Sequence, residues 1–496
     1  MKPARPWLWA LLAVAACGSG PPAVQSSAPR PLSLAPSAPP PDPLGPRPTL
    51  APAAAFTPPG WREVEGLRAP RVWLAPRDTV PVVALRVVVP FGASSDPADR
   101  AGLAALTAEM MEQGAGKRDA FQIAQAFEAL GASASVEAGL DSMQVSVTVT
   151  RDNFDAVLDL VADVVARPRF EAQEWKRTQP LWLDQLAQRD FEPMDVAALV
   201  ARATFFGDGH PYAQPVDGTL ASVKRITLDD VQRFHRQAFR PEHAVVVLAG
   251  AVDDAGARKI GEAFAARWAV ARAPALAAPA PRGEAAARPR TVLVERPDAA
   301  QTAFLFIAPA PDARTPQWAA HALANVPLGG SFTSRLNANL REDKGYTYGI
   351  GSRLGEARLA GTLTVRTAVQ REATSAALKE ILKEIETMAA DGPRPDEVEK
   401  ARGTLRLERI EAWQTVDGIG ELAASAVALG VEPGWIVDRA AALEKATTDE
   451  IIAAARAGAL RGATIVGVGD RATLEAAFKE NGLPAPERRG PSGERL

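Results

Sequence analysis

Two stretches carry one pattern twice: ITLDDVQRFHRQAF (226–239) leading to AVVVLAG (244–250), and ATTDEIIAAARAGA (446–459) leading to ATIVGVGD (463–470). Each is an amphipathic helix followed by a short apolar strand. Each helix opens on a threonine with an acid three residues later, Thr227 with Asp230 and Thr447 with Glu450, the spacing of a capping box. Working outward, the same order recurs. VVALRVVVPFG (82–92) and TAFLFIAPAP (302–311) read as opening strands, each followed by a helix. Met143, Val145, Val147 and Val149 alternate along one later strand, and Leu363, Val365 and Thr367 along the other. Long amphipathic helices follow at 154–165 and 375–388. Strands interleaved with helices and repeated predict an α+β chain of two homologous α/β sandwich halves.

Length agrees, since 496 residues exceed what one core holds. A net charge of -3 gives no footprint for nucleic acid. The single cysteine, Cys17, excludes an internal disulfide and a thiolate zinc site. Lys2 and Arg5 precede the apolar run WLWALLAVAA, too short to span a bilayer as a mature helix. Residues 1–17 therefore read as a signal peptide. Val14-Ala15-Ala16-Cys17 resembles a bacterial lipobox, which implies lipidation of Cys17 and a membrane anchor. Gly18 and Ser19 follow, which resembles outer-membrane sorting, with the chain facing the periplasm of the cell envelope.

Residues 18–60 are rich in Pro, Ala and Ser and read as an extended tether with a reach on the order of 100 Å. A second Pro/Ala-rich stretch, 271–291, reads as a linker between halves at 61–270 and 292–486, with a flexible tail at 487–496.

Chemistry is scarce. The histidines are His210, His235, His243 and His321, and no two of them share a helix face at metal-ligand spacing. No nucleophile elbow or phosphate loop occurs. The helix beginning near Gly102 in RAGLAALTAEMMEQGAG (100–116) has an apolar face of Leu103, Leu106, Met110 and Met111. Its other face carries Thr107, Glu109 and Glu112. In LGGSFTSRLNANLREDKGYTYGIGSR (328–353), Arg341 precedes Tyr346 and Tyr348, two of only three tyrosines. An arginine fork and a phenol can hold a carbonyl or its oxyanion. On spacing alone, a surface arginine and a half-buried strand tyrosine is the better reading.

The two-half order and these stretches resemble the insulinase/pitrilysin family of zinc peptidases over about residues 62–480. HPYAQPVDGT (210–219) is similar to the closing segment of its first half, and 328–352 to its second-half signature. The resemblance implies the mitochondrial processing peptidase-like metallohydrolase fold. It places the family's zinc helix, Gly-x-Ala-His-x-x-Glu-His, on GLAALTAE. The two His positions then fall on Ala105 and Glu109, and the Glu on Ala108. The distal carboxylate falls near Asp184 or Gln185. Metal ligands and general base are missing, so no metal site is expected in this chain. The family's Arg and Tyr, which reach substrate bound at the zinc half, fall on Arg341 and Tyr348. Its peptide-binding edge strand falls on GASASVEAG (131–139), with Ser133 and Ala134 central.

The resemblance thus implies a non-catalytic subunit. A zinc-bearing partner of the same family would supply the cofactor, and unfolded peptide would be the substrate. The rival readings are an envelope peptide-binding or scaffold protein, and an active metallopeptidase with unusual ligands.

Overall fold

Each half builds its sheet from the strands that the alternation marks. The computed structural model describes Pro58, residues 60–65, 70–207, 209–268, Leu276, 290–458 and 462–496. Cys17, the signal peptide and nearly all of the tether and linker lie outside the described residues. The first half contains β1 (Arg62–Glu63), β2 (Arg71–Pro76), β3 (Val82–Val89), a small ribbon of β4 (Gly114–Ala115) and β5 (Arg118–Asp119), β6 (Ser133–Ala138), β7 (Met143–Thr150) and β8 (Val245–Gly250). The second contains β9 (Arg290–Glu295), β10 (Gln301–Ala310), β11 (Thr347–Gly355), β12 (Gly361–Gln370), β13 (Thr464–Gly469) and β14 (Glu487–Arg489).

The sheets run β1-β2-β8-β3-β7-β6 and β14-β9-β13-β10-β12-β11. Within the first, β2 and β8 are parallel and the run β8-β3-β7-β6 is antiparallel. Within the second, β9 and β13 are parallel and the run β13-β10-β12-β11 is antiparallel. Order and direction therefore agree along β2-β8-β3-β7-β6 and β9-β13-β10-β12-β11, which is the repeat seen in the sequence. Both predicted capping boxes form: Thr227 and Asp230 exchange bonds of 3.0 and 3.2 Å, and Thr447 and Glu450 bonds of 2.7 and 3.3 Å.

Helices α1 (Leu103–Met111), α2 (Ala120–Ala129), α3 (Phe154–Ala166) and α4 (Ala172–Arg189) add side chains to one core with Val145, Val147 and Val149 of β7. The opposite face of each sheet is covered by a helix from the other half. Helix α5 (Pro193–Phe206) buries Val196, Val200 and Phe205 against Leu305, Val466 and Val468 of the second sheet. The helix Val416–Leu429 buries Ile419, Ala423 and Val427 against Trp73, Val88 and Val247 of the first. The reason lies in the central strands: β8 (VVVLAG) and β13 (TIVGVG) are buried along their whole length and need cover on both faces. Arg86 crosses this junction. Buried on β3, it pairs with Asp417 at 2.8 Å and Glu421 at 3.0 Å on the exchanged helix.

Two boundaries differ from the sequence reading. Strand β9 begins at Arg290, inside the expected linker. Residues 487–489, expected as tail, form β14, parallel to β9. The chain then folds back, with Gly490 N–H donating to Glu494 O at 2.9 Å and Leu496 N–H to Arg488 O at 3.2 Å. Strand β9 leaves a sheet edge that β14 fills, and the charged run ERRGPSGER hides a strand whose partner is remote in sequence.

Candidate functional site

Helix α1 is fixed at its head. Gly102 has φ 94°, and a Cβ there would lie 2.7 Å from Asp217 O, so only glycine fits. Asp96 accepts the N–H groups of Gly102, Leu103 and Ala104 at 2.8, 3.0 and 2.9 Å, satisfying the helix's orphan donors. Burial pushes the Asp96 carboxyl above its usual range, against the pull of those three donors.

Farther along, Ala105 and Ala108 are 6% and 3% exposed and offer only methyl groups where two of the family's functional side chains would stand. Glu109 is half-buried, and its carboxylate accepts Gln113 Nε2 at 3.1 Å. Gln113 Oε1 accepts Arg177 Nη2 at 2.6 Å, and Arg177 pairs with Glu174 at 3.0 Å on α4. Asp184 and Gln185 are exposed on that helix. Among the described residues, no three His, Cys, Asp or Glu side chains are grouped to hold a metal ion. The histidines serve the fold instead. His210 Nδ1 accepts Tyr212 N–H at 3.0 Å, His235 Nε2 bonds Val165 O at 2.9 Å, and His321 Nδ1 bonds Gln317 O at 3.0 Å. His243 packs edge-on against Phe91, ring centroids 5.0 Å apart. The donor set at α1 therefore does not fit zinc, and no step is routed through a metal of this chain.

Arg341 and Tyr348 are brought together. Arg341 lies in the turn Ala338–Asp343, which extends the short helix Arg335–Asn337. That helix is anchored by Arg335, paired with Glu397 at 2.6 Å in a largely buried, two-pronged bridge. Gly345, at φ 64°, reverses the chain into β11. The register of β11 shifts between Thr347 and Ile350, and Thr347 Oγ1 accepts Gly349 N–H at 3.1 Å. Such an irregularity re-aims a side chain. Tyr348 stands 89% exposed. The Arg341 guanidinium carbon lies 5.1 Å from the Tyr348 ring centroid and 4.6 Å from that of Phe332, itself 65% exposed. Its Nε is 3.3 Å from Glu342, so the terminal nitrogens carry the remaining donors of the fork. The cluster presents cationic and phenolic donors at an open surface, suited to a carbonyl, oxyanion or carboxylate.

Ser133 and Ala134 lie on the other sheet. They are exposed on edge strand β6, opposite Thr148 and Val147 of β7. The sequence reading missed what lies beside them: Glu112, just past α1, accepts Val136 N–H at 2.8 Å. It also missed Phe332 beside Arg341, and a buried junction around the third tyrosine. Tyr212 Oη donates to Asp141 at 2.6 Å and accepts Leu359 N–H at 2.9 Å, while Arg358 N–H donates to Asp141 at 2.9 Å. Rarity of tyrosine was a usable signal for Tyr212. Asp141 and Arg358 carried none.

A doubled α/β sandwich, with Ala105, Ala108 and Glu109 at the metal-helix positions, is a metallohydrolase-type scaffold. Residues 71–215 match the family described as insulinase (peptidase family M16), and residues 225–405 match the peptidase M16 inactive domain. An uncharacterised zinc protease of Mycobacterium tuberculosis is 32% identical over 362 residues, covering 68% of this chain and 80% of that protein. A peptidase M16 inactive domain from Pseudomonas fluorescens matches with a TM-score of 0.76 at 25% identity, covering 83% of this chain and 98% of that one. A protease from Helicobacter pylori matches with a TM-score of 0.76 at 16% identity, covering 83% of this chain and 99% of that one, a likeness of fold. The chain belongs to the insulinase family, and its residues 225–405 match that family's inactive-domain model.

Proposed function

We propose that this chain is the non-catalytic subunit of a two-chain insulinase-family peptidase. It lines part of the chamber and extends Arg341 and Tyr348 to unfolded peptide bound at a partner's zinc site. The observation that carries the reading is a contrast. Buried methyl groups stand at Ala105 and Ala108, while Arg341 and Tyr348 stay adjacent at an open surface. A half-buried cation held beside two exposed aromatic rings has little to do for stability, since surface contacts of this kind contribute about 0.5–1 kcal/mol.

In this reading a zinc held by the partner subunit would supply Lewis-acid polarisation of the scissile carbonyl and activation of water. Arg341 donates in-plane hydrogen bonds to the carbonyl oxygen as charge develops on it, and the Tyr348 hydroxyl adds a donor. The test is reconstitution with a zinc-bearing family partner. Arg341→Ala is expected to lower kcat/KM by about a hundredfold, the worth of one oxyanion donor, with assembly intact by size-exclusion chromatography. Unchanged turnover sinks the reading, as does stoichiometric tight zinc on this chain alone.

We also propose that this subunit is lipid-anchored on a membrane in the envelope, a reading supported by the lipobox-like tetrad. The full chain is expected in the membrane fraction and Cys17→Ser in the soluble fraction. A Cys17→Ser chain that still pellets with membranes removes lipidation from the proposal.

A further inference from the structure

Edge strands expose a row of unpaired backbone groups that proteins manage explicitly. The two repeats do so at equivalent positions. In the second half, β11 is the edge. Ile350 N–H donates to Asn337 Oδ1 at 3.4 Å, and Ser352 O accepts Asn325 Nδ2 at 3.3 Å, so neutral side chains close that edge. In the first half, β6 is the edge, and its Val136 N–H points away from β7 to the Glu112 carboxylate at 2.8 Å. Outward-facing groups alternate along a strand, so Ala134 and Ala138 present their N–H on the same side. Among the described residues, no side-chain hydrogen bond reaches either of them. The edge of β6 is thus open except at its centre.

The closing group is costly where it sits. Burial pushes the Glu112 carboxyl above its usual range, and the nearby charges of Glu109 and Glu137 push the same way. The Val136 amide is the group that favours its charged form. A half-buried carboxylate held by one backbone amide is a replaceable occupant: an incoming carbonyl can take the amide, and Glu112 can swing to water. Met110 and Met111, just before it in sequence, are fully buried, and α1 lies along β6.

We propose that Glu112 determines what adds to this edge: its carboxylate occupies the hydrogen-bonding position that an extended peptide needs at Val136, so a strand adds to β6 in the wild-type chain only by displacing it. The inference rests on the reading of β6 as a peptide edge. It deepens that reading by leaving substrate main-chain pairing to the partner subunit, with Arg341 and Tyr348 as this chain's contribution.

The experiment uses the full chain and a fluorescein-labelled peptide of strand length, rich in Val and Thr. Glu112→Ala is expected to bind it roughly tenfold or more tightly than wild type, because a hydrogen bond to a charged group no longer has to be displaced. Glu112→Gln keeps an acceptor and is expected to stay near wild type. Val136 N–H should exchange faster with deuterium in Glu112→Ala and regain protection with peptide bound. Ala134→Pro in the Glu112→Ala background removes a neighbouring outward donor at an edge position that tolerates proline, and should return affinity to the wild-type level. Glu112→Leu replaces Glu112→Ala if the latter melts early. Equal affinity of wild type and the opened variants overturns the proposal, as does tighter binding that Ala134→Pro leaves intact. An unchanged affinity here together with a strong Arg341→Ala defect in the reconstituted pair removes the gate and leaves the proposed function standing.

Discussion

Asp141→Ala is expected to lower unfolding stability by about 3–5 kcal/mol, the cost of removing one partner from a buried charged network. Asp141 is 5% exposed in the turn between β6 and β7. One carboxylate oxygen accepts Tyr212 Oη at 2.6 Å and Arg358 N–H at 2.9 Å, and the other accepts Ser94 Oγ at 3.1 Å. The Arg358 guanidinium lies 3.7 Å away, largely buried. Ser94, Asp141 and Tyr212 belong to the first half, Arg358 and Leu359 to the turn between β11 and β12. The network therefore ties the two halves together. Burial and the Asp141 charge hold the Tyr212 phenol protonated far above its usual range, so it serves as a donor at every working pH. Alanine strands that donor, a backbone N–H and a buried cation at once. Tyr212→Phe removes both hydrogen bonds of the phenol, leaves Leu359 N–H unpaired, and is expected to cost about 1–3 kcal/mol. Denaturant melts of both variants check the ordering. An Asp141→Ala chain within about 1 kcal/mol of wild type refutes the role of this network.

The junction also shows where the sequence stops being informative. The repeat was legible because local patterns carried it: alternation along 143–149, capping boxes at Thr227 and Thr447, apolar runs at 245–250 and 464–469. Each depends on residues within one element. The exchange of α5 and the helix Val416–Leu429 depends on which face meets which sheet, and an amphipathic helix reads the same whichever sheet it covers. The one local trace was that β8 and β13 are apolar on both faces. Strand β14 was lost for a related reason, since its partner β9 lies nearly two hundred residues upstream.

The candidate site was legible only through the family pattern. Spacing alone left Arg341 and Tyr348 as an ordinary surface pair. Their contact depends on a turn at Gly345 and a register shift after Thr347, neither of which is a periodicity. The contacts of Phe332 and Glu112 were invisible for the opposite reason: an exposed Phe and a Glu at a helix end are unremarkable until their neighbours are known. The degenerate helix α1 keeps its fold because the apolar face of Leu103, Leu106, Met110 and Met111 and the cap from Asp96 are independent of the metal-ligand positions. Loss of zinc chemistry and retention of structure are therefore compatible on nine residues.

Acidification from about pH 6.5 to pH 4 is expected to cost the folded chain about 3 kcal/mol through His235 alone. His235 is buried in the helix Leu228–Ala238, and its Nε2–H donates to Val165 O at 2.9 Å. Its ring stacks on Phe239 at 5.1 Å and meets Phe170 edge-on at 5.2 Å. Its pKa is lowered from 6.5 to about 4: burial is the main cause, the Val165 carbonyl resists, and the Arg236 charge adds to the lowering. The unfolded chain takes up this proton near pH 6.5 and the folded chain only near pH 4. In that window the unfolded state binds more protons, so stability falls as pH falls. At about 1.4 kcal/mol per pH unit the window gives about 3 kcal/mol. Asp96 acts in the opposite sense, because its raised carboxyl pKa lets the folded state hold a proton that the unfolded state has released. The histidine contribution must therefore be read as a difference. His235→Gln keeps a donor for Val165 O and removes the titration. The stability of wild type minus that of His235→Gln should decline steadily from pH 6.5 to pH 4, then level off. A difference that stays flat across that range refutes a neutral, buried His235.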